Sequence, residues 1–526
     1  MLIEMKKAII YIATALCLMT GIAGCSDFGD TNIDPERLTG DKLDYKLMFT
    51  NVQTYVYGTD WEVWRNSMIY ISTMLQHTAS TESYWNGDKY TYNMGYNAAY
   101  WDRIFPNGIR NAIDVINHWK DDDAYKAEVQ MMRIMKVILF HRMTDQYGDI
   151  PYSEAGLGFI EGIGYPKYDD QQSIYMDMLK ELKEAAETLS TLSGSQIATA
   201  DLMYGGDIAK WRKFAYSLML RLGMRLSKVD PSTAQTWVNT AITGGLFESN
   251  SDNGIIEHPD GEETNGSIDG FAKIIVHEDP SAYRLSESFI NLLKNSNDPR
   301  LPLIATVCEE PSHKIGSGRW QLGDTTFSKQ LGMPNGYDTN NEDTDISKAP
   351  NWTGNKNDYS VICRYTFSKR DAPTFVLTYA ENQLLLAEAA HRGWISGSAK
   401  EYYDRGVKAA MQQFSQFGIT GIPDSRIDQY LTENAFDATK ALEQINTQYY
   451  IVTFSDEYET FANWRRSGYP VLKTVNYYNN VTNGTIPRRF TYPNNESARN
   501  ETNYNTAVAK LKNGDAMTSR VWWDAE

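Results

Sequence analysis

Apolar residues recur at helical spacing over much of the chain, and the breaks between those runs outline its elements. From Asp41 to His77 the positions Leu43, Leu47, Val52, Val56, Val63, Met68, Ile71 and Leu75 predict two helices parted at Gly58-Thr59-Asp60. Trp101 to Trp119 keeps the period through Ile104, Ile109, Ile113 and Ile116, with a break near Pro106. Tyr125 to Met143 is a strong helix that runs toward Gly148, a helix stop, and Pro151, which prevents continuation. Further helices are predicted at Gln171 to Leu189, at Ile208 to Val229, and from Pro231, placed for a first helical turn, to Gly244. Helical order returns at Phe375 and closes at Gly393-Trp394. Its partner runs from Ser398, an N-cap, to Phe414, and others start near Ala438 and at Tyr458.

Two stretches lose the period. Thr78 to Tyr100 sets Tyr84, Trp85, Tyr90, Tyr92, Tyr96 and Tyr100 among Gly and Asn and reads as loop rather than core. Residues 245–374 form a loop insertion with one helical patch from Ser286 to Leu293 and with Tyr283, Trp320, Tyr337, Trp352 and Tyr359 scattered through it. Loops this long are functional or mobile. The C-terminal portion reads as irregular. Pairs of antiparallel helices with short turns suggest tetratricopeptide-like hairpins, although no strict repeat of about 34 residues is present. The expected fold is mainly α: a helical-hairpin scaffold with long irregular loops and few short strands.

The N-terminus sets the compartment. Lys6-Lys7 precedes an apolar run from Ala8 to Met19 that closes on Gly21-Ile22-Ala23-Gly24-Cys25, the layout of a secretory signal. The run is shorter than the roughly 20 residues a spanning helix needs. A cysteine directly after Ala-Gly resembles a lipobox, so residues 1–24 are expected to leave as signal and Cys25 to carry lipid, anchoring the protein to a membrane without a span. Ordinary secretion with a free cysteine is the alternative. Ser26, Asp27, Asp30, Asp34 and Glu36 make residues 25–40 an acidic tether, similar to signals for display on the outer face of an outer membrane. No linker divides residues 41–526, which are expected to form one domain.

The formal charge of −17 argues against nucleic acid or an anionic surface as partner. Behind Cys25 only Cys308 and Cys363 remain, and one disulfide and two buried thiols are both open. The 34 Tyr and 13 Trp against 18 Phe favour rings with a polar handle, suited to flat hydrated ligands such as sugars. No HExxH spacing occurs among the seven His, and no nucleophile elbow or phosphate loop is found. No cofactor is expected. The acidic run 342–345 invites Ca²⁺ but lacks the Gly and closing Glu of an EF-hand loop, so no motif supports a structural Ca²⁺. Asp145, Asp149 and Glu154 offer carboxylates for glycoside hydrolysis, yet beside Gly and Pro such groups accept turn hydrogen bonds.

Cys25 with Asn32-Ile33-Asp34-Pro35, the Thr144 to Ala155 turn, Asp207 to Arg225, Thr378 to Gly393, Trp464 to Pro470, Ile486 to Arg489 and Trp522-Trp523-Asp524 together closely resemble the SusD/RagB family, across the whole mature chain. The resemblance implies a surface lipoprotein of the outer membrane, not an enzyme. Such a protein captures a glycan, or sometimes a peptide, and delivers it to a SusC-like TonB-dependent barrel. It also places sugar sites on loop aromatics near residues 80 to 100 and 280 to 360. Within those loops Tyr84, Trp85, Tyr283, Trp320, Tyr337 and Trp352 are the expected ligand-binding residues, with Asn86 or Asp88 taking hydroxyls. Arg465, Arg466, Arg488 and Arg489 either bind a carboxylated glycan or lock the C-terminal segment onto the helical core. A secreted glycoside hydrolase and a structural or adhesive surface lipoprotein are the competing readings.

Overall fold

Side chains that accept a backbone N–H start most of the long helices, as local sequence requires. Asp170, Asp207 and Asp230 accept from Ser173, Lys210 and Thr233. Thr378 and Glu381 form a reciprocal capping box, and Ser398 caps the next helix. The computed structural model describes residue 1 and residues 43–259, 270–311 and 322–526, so Cys25, its tether and Trp320 lie outside the described residues. Residues 1–47 and 48–526 separate as two units, and the architecture below is that of the second.

The helices of eight or more residues are α1 (Tyr45–Tyr57), α2 (Met94–Ile104), α3 (Arg110–Trp119), α4 (Lys126–Tyr147), α5 (Gln171–Leu189), α6 (Ile208–Arg225) and α7 (Pro231–Gly244). After the loop region come α8 (Glu287–Asn295), α9 (Tyr379–His391), α10 (Ala399–Gln412), α11 (Asp424–Glu433), α12 (Ala441–Val452), α13 (Glu457–Ser467) and α14 (Glu501–Val508). A π-helical segment, Val63–Ser72, follows α1. Consecutive helices pack as hairpins: α3 on α4, α4 on α5, α5 on α6, α6 on α7, α9 on α10 and α12 on α13. Contacts of α6 with α9 and of α4 with α13 join the two halves. The fold is thus mainly α with tetratricopeptide-like hairpins. Its short strands form four antiparallel ribbons among the described residues: β1 (Thr78–Ser80) with β5 (Tyr283–Leu285), β2 (Ile150–Pro151) with β3 (Tyr168–Asp169), β4 (Gly254–Ile256) with β8 (Thr374–Leu377), and β6 (Ala305–Thr306) with β7 (Val361–Ile362).

Helix α4 is buried on nearly all sides, as an all-round core helix must be, yet it carries His141, Arg142 and Asp145 inward. Asp145 accepts from Tyr175, from Trp523 Nε1 at 2.9 Å and from His141, with Arg225 at 3.5 Å. The motif arginines complete this network. Arg466 holds Glu388 through two bonds of 2.7 and 2.8 Å, Arg489 binds Asp515 at 2.6 Å and the Tyr147 carbonyl at 2.9 Å, and Arg488 pairs with Asp524. Arg465 donates to the Arg488 and Asp145 carbonyls. Arg466 ties α13 to α9, while Arg465, Arg488 and Arg489 fasten the C-terminal segment to α4 and α13. Asp149 accepts from Gln171 and Lys510, and Glu154 accepts from Lys167, so the carboxylates of the Thr144 to Ala155 turn serve that turn and its neighbours.

Three expectations change. Phe375 begins no helix: Thr374–Leu377 is strand, its β-branched and aromatic residues pairing with β4, and α9 starts only after the Thr378 cap. The stretch Thr78 to Tyr100 is not merely loop, because Trp85, Tyr90 and Tyr100 are buried and α2 already starts at Met94. The C-terminal portion holds α14, which buries only Ala507 and so shows no apolar period. The cysteine question closes on two free buried thiols. Cys363 donates its N–H to the Ile304 carbonyl at 2.7 Å, at the end of the β6–β7 pairing, and Cys308 lies past the other end of β6. Burial pushes the Cys363 thiol up to about 11.

Candidate functional site

The short helix Asp60–Glu62 and the π-helical segment behind it place Trp61, Trp64 and Arg65 at i, i+3 and i+4, hence on one side. The Arg65 guanidinium carbon lies 3.3 Å from the centre of the Trp61 ring and 4.9 Å from that of Trp64, and its Nη1 donates to the Trp61 carbonyl at 3.2 Å. The segment then leads through β1 into the aromatic loop.

That loop meets Asp279, which follows another π-helical turn, Ile274–Glu278. The Asp279 carboxylate accepts from Tyr84 Oη at 2.8 Å, Trp85 Nε1 at 2.9 Å and Trp64 Nε1 at 3.2 Å. One carboxylate therefore fixes three rings drawn from two segments. Burial pushes its pKa up, and the bonds from Trp85, Tyr84 and Trp64 offset only part of that. Burial and the Asp279 bond push the Tyr84 phenol up as well, so Tyr84 stays a donor. Because ring donors occupy its oxygens, Asp279 orients rings rather than presenting an acid to solvent.

The expected ligand-binding residues converge here but differ in access. Tyr84 is 36% exposed and Trp61, on the preceding segment, 48%. Trp85 at 0% and Tyr283 at 2% are buried, against the expectation that polar loops leave their rings outside. The reason is local. Asp279 satisfies the Trp85 indole, Lys89 Nζ closes the loop on the Ser80 and Trp85 carbonyls, and Trp85 lies nearly parallel to Tyr283 at 6.2 Å. Asp88 accepts from Lys89, from the Asn335 side-chain amide and from the Gly336 N–H, and the Asn86 amide donates to Thr91. Tyr337 and Trp352 are half-buried against a small apolar cluster that contains Ala79 of β1, Met333 and Tyr359. Lys356 to Glu82 at 3.0 Å ties the loop carrying Trp352 to the loop carrying Tyr84, and Arg284 to Asn357 at 2.8 Å ties the former to β5. Trp61, Trp64, Arg65 and Asp279 carry no ligand-binding expectation from sequence; the i, i+3, i+4 spacing of the first three is the signal that points to them.

A separate cleft of about 830 Å³ is lined by Trp101, Phe105, Phe159, Tyr165, Glu496 and Arg499, with Phe159 91% exposed. Among the described residues no group of His, Cys, Asp or Glu is arranged to hold a metal, and no helix is long and apolar enough to cross a membrane.

The family model described as starch-binding associating with outer membrane matches residues 36–493. The chain belongs to the SusD-like family. A solved structure described as a chitin-binding protein is 32% identical, covers 92% of this SusD-like chain and 100% of its own, and superposes with a TM-score of 0.79. A SusD-like protein from Bacteroidetes is 28% identical over 92% of this chain and 100% of its own, with a TM-score of 0.76. A chitin-binding SusD homologue from Flavobacterium johnsoniae is 25% identical over 92% of this chain and 98% of its own, with a TM-score of 0.73. No curated protein matches the sequence.

Proposed function

We propose that this SusD-like protein is a surface lipoprotein, anchored through Cys25 in the outer membrane. In this reading it faces the exterior, binds a glycan without hydrolysing it, and delivers it to a SusC-like TonB-dependent barrel. The family description and the relatives described as chitin-binding support the glycan. The observation that carries the reading is a pair of exposed rings held from behind: Asp279 fixes Tyr84 together with Trp85 and Trp64, and Arg65 stacks on Trp61. Flat apolar sugar faces stack on such rings, and rigid rings lose little entropy on binding. Tyr337 and Trp352 extend the surface from the adjoining loop. The reading is tested by running the mature chain through gels that contain purified polysaccharides while assaying reducing ends. Retardation without new reducing ends is the expected result, whereas reducing ends that grow with protein concentration support the hydrolase reading instead.

A further inference from the structure

We propose that the buried Asp88–Lys89 pair is a positioning element for glycan binding. It fixes the spacing between the loop that carries Tyr84 and the loop that carries Tyr337 and Trp352, and so favours chains long enough to touch both. The inference rests on the reading that a glycan stacks on these rings, and it assigns the residues that set their separation. Asp88 and Lys89 touch no sugar in this scheme, since each is only 1% exposed.

Every side-chain polar atom of the pair is committed, some to each loop. Lys89 Nζ donates to the Ser80 carbonyl at 2.8 Å, the Trp85 carbonyl at 3.1 Å and Asp88 Oδ1 at 3.0 Å. That uses all three N–H groups and closes the loop on both sides of Tyr84. Asp88 Oδ2 accepts from the Gly336 N–H at 3.2 Å and from the Asn335 amide at 3.3 Å, beside Tyr337. The Asn335 amide also reaches the Thr78 carbonyl of β1 at 2.8 Å, and the Asp88 N–H donates to Thr73 Oγ1 at 3.0 Å. Packing leaves no slack at either end. A Cβ at Gly87 would collide with Thr73 Oγ1 and the Tyr70 carbonyl, and one at Gly336, which holds φ +85°, with Val475. The loops meet again at the 3.0 Å pair of Lys356 with Glu82, close in sequence to Trp352 and Tyr84.

Rings held at a fixed separation act as two linked sites. Once one sugar is seated, a chain of sufficient length meets the second ring at high effective concentration, with no loop left to order. Loops that drift apart lose this gain, although each ring still stacks. A short sugar on Tyr84 alone is indifferent to the pair, because Asp279 holds that ring independently.

The test titrates the full mature chain with chitobiose and chitohexaose, and in parallel with maltose and maltohexaose; the series that binds is read for its length ratio. Wild type is expected to hold the hexaose about a hundredfold more tightly than the disaccharide. Asp88→Asn keeps the size of the side chain but turns a donor toward either Lys89 or the Gly336 N–H. It is expected to bring the ratio below about tenfold while disaccharide affinity stays within about twofold. Equal weakening of both lengths, as a merely structural role predicts, overturns the proposal, and so does an unchanged ratio or a wild-type ratio of only a few-fold. If Asp88→Asn does not fold, Asn335→Ala, which cuts only the second loop's amide contact, is read in the same way. Binding of neither series overturns the proposal as well. Retention by some polysaccharide gel then leaves the glycan reading standing, whereas retention by none removes both.

Discussion

Tyr84 donates its phenol to both oxygens of Asp279, at 2.8 and 2.9 Å, across 195 positions of sequence. The bond ties the loop after β1 to the start of the long insertion, and the same carboxylate takes the indoles of Trp64 and Trp85. Asp279→Ala strands the buried Trp85 N–H, which costs about 1–3 kcal/mol. The expected outcome is a lower denaturation midpoint, a red shift in tryptophan emission and weaker glycan retention, all from one side chain that touches no ligand.

Access separates two tryptophans that sequence alone treats alike. Trp61→Ala removes an exposed ring and is expected to weaken glycan binding by about 0.5–1.5 kcal/mol with little change in stability. Trp85→Ala opens a cavity in a buried site and is expected to lose about 3–5 kcal/mol of folding free energy. Urea denaturation beside an affinity gel reads both effects.

Glu388 couples stability to pH. Burial pushes its carboxyl up, but Arg466 and Arg392 outweigh this and hold it down at about 2; Asp145 is held at about 2 in the same way, chiefly by Arg225 and His141. Unfolded carboxyls titrate near about 4, so this stabilisation is complete above that pH and is lost as pH falls toward 2. Burial raises Glu62 and Glu381, which work in the opposite direction, so the informative quantity is the difference between wild type and Glu388→Gln. That difference is expected to shrink steadily between about pH 5 and pH 2. Glu388→Ala, which leaves the Arg466 guanidinium buried and unpaired, is expected to cost about 3–5 kcal/mol at neutral pH.

That Cys308 and Cys363 are free and buried is open to a simple check. Alkylation of the unfolded mature chain without reductant is expected to label both Cys308 and Cys363, while the folded chain labels slowly because burial keeps both thiols protonated.

Much of the scaffold was legible because α5, α6, α7 and α10 combine a caps-and-breakers frame with an apolar stripe: Asp170 before Gln171, Asp207 before Ile208, Pro231 and Ser398 mark their starts. Helices α11 and α14 were missed because they bury little, only Ile427 and Tyr430 in the first and Ala507 in the second. The strand at Thr374–Leu377 was absorbed into α9 because a short apolar run looks alike in either state. Of the site, the region was legible and the accessible rings were not. Whether a loop tryptophan faces water depends on a distant partner, and for Trp85 that partner is Asp279, 194 positions away. The motif arginines show the converse. Their surplus of nearby acids pointed inward, and Arg466 with Glu388 and Arg489 with Asp515 realise that pairing.

The most direct measurement is the structure of the mature chain with a bound chito-oligosaccharide. The account expects sugar rings on the exposed faces of Tyr84 and Trp61, with Trp85 unmoved and its indole still on Asp279. Sugar seated instead in the cleft between Trp101, Phe159 and Tyr165, with Trp61 and Tyr84 bare, contradicts it.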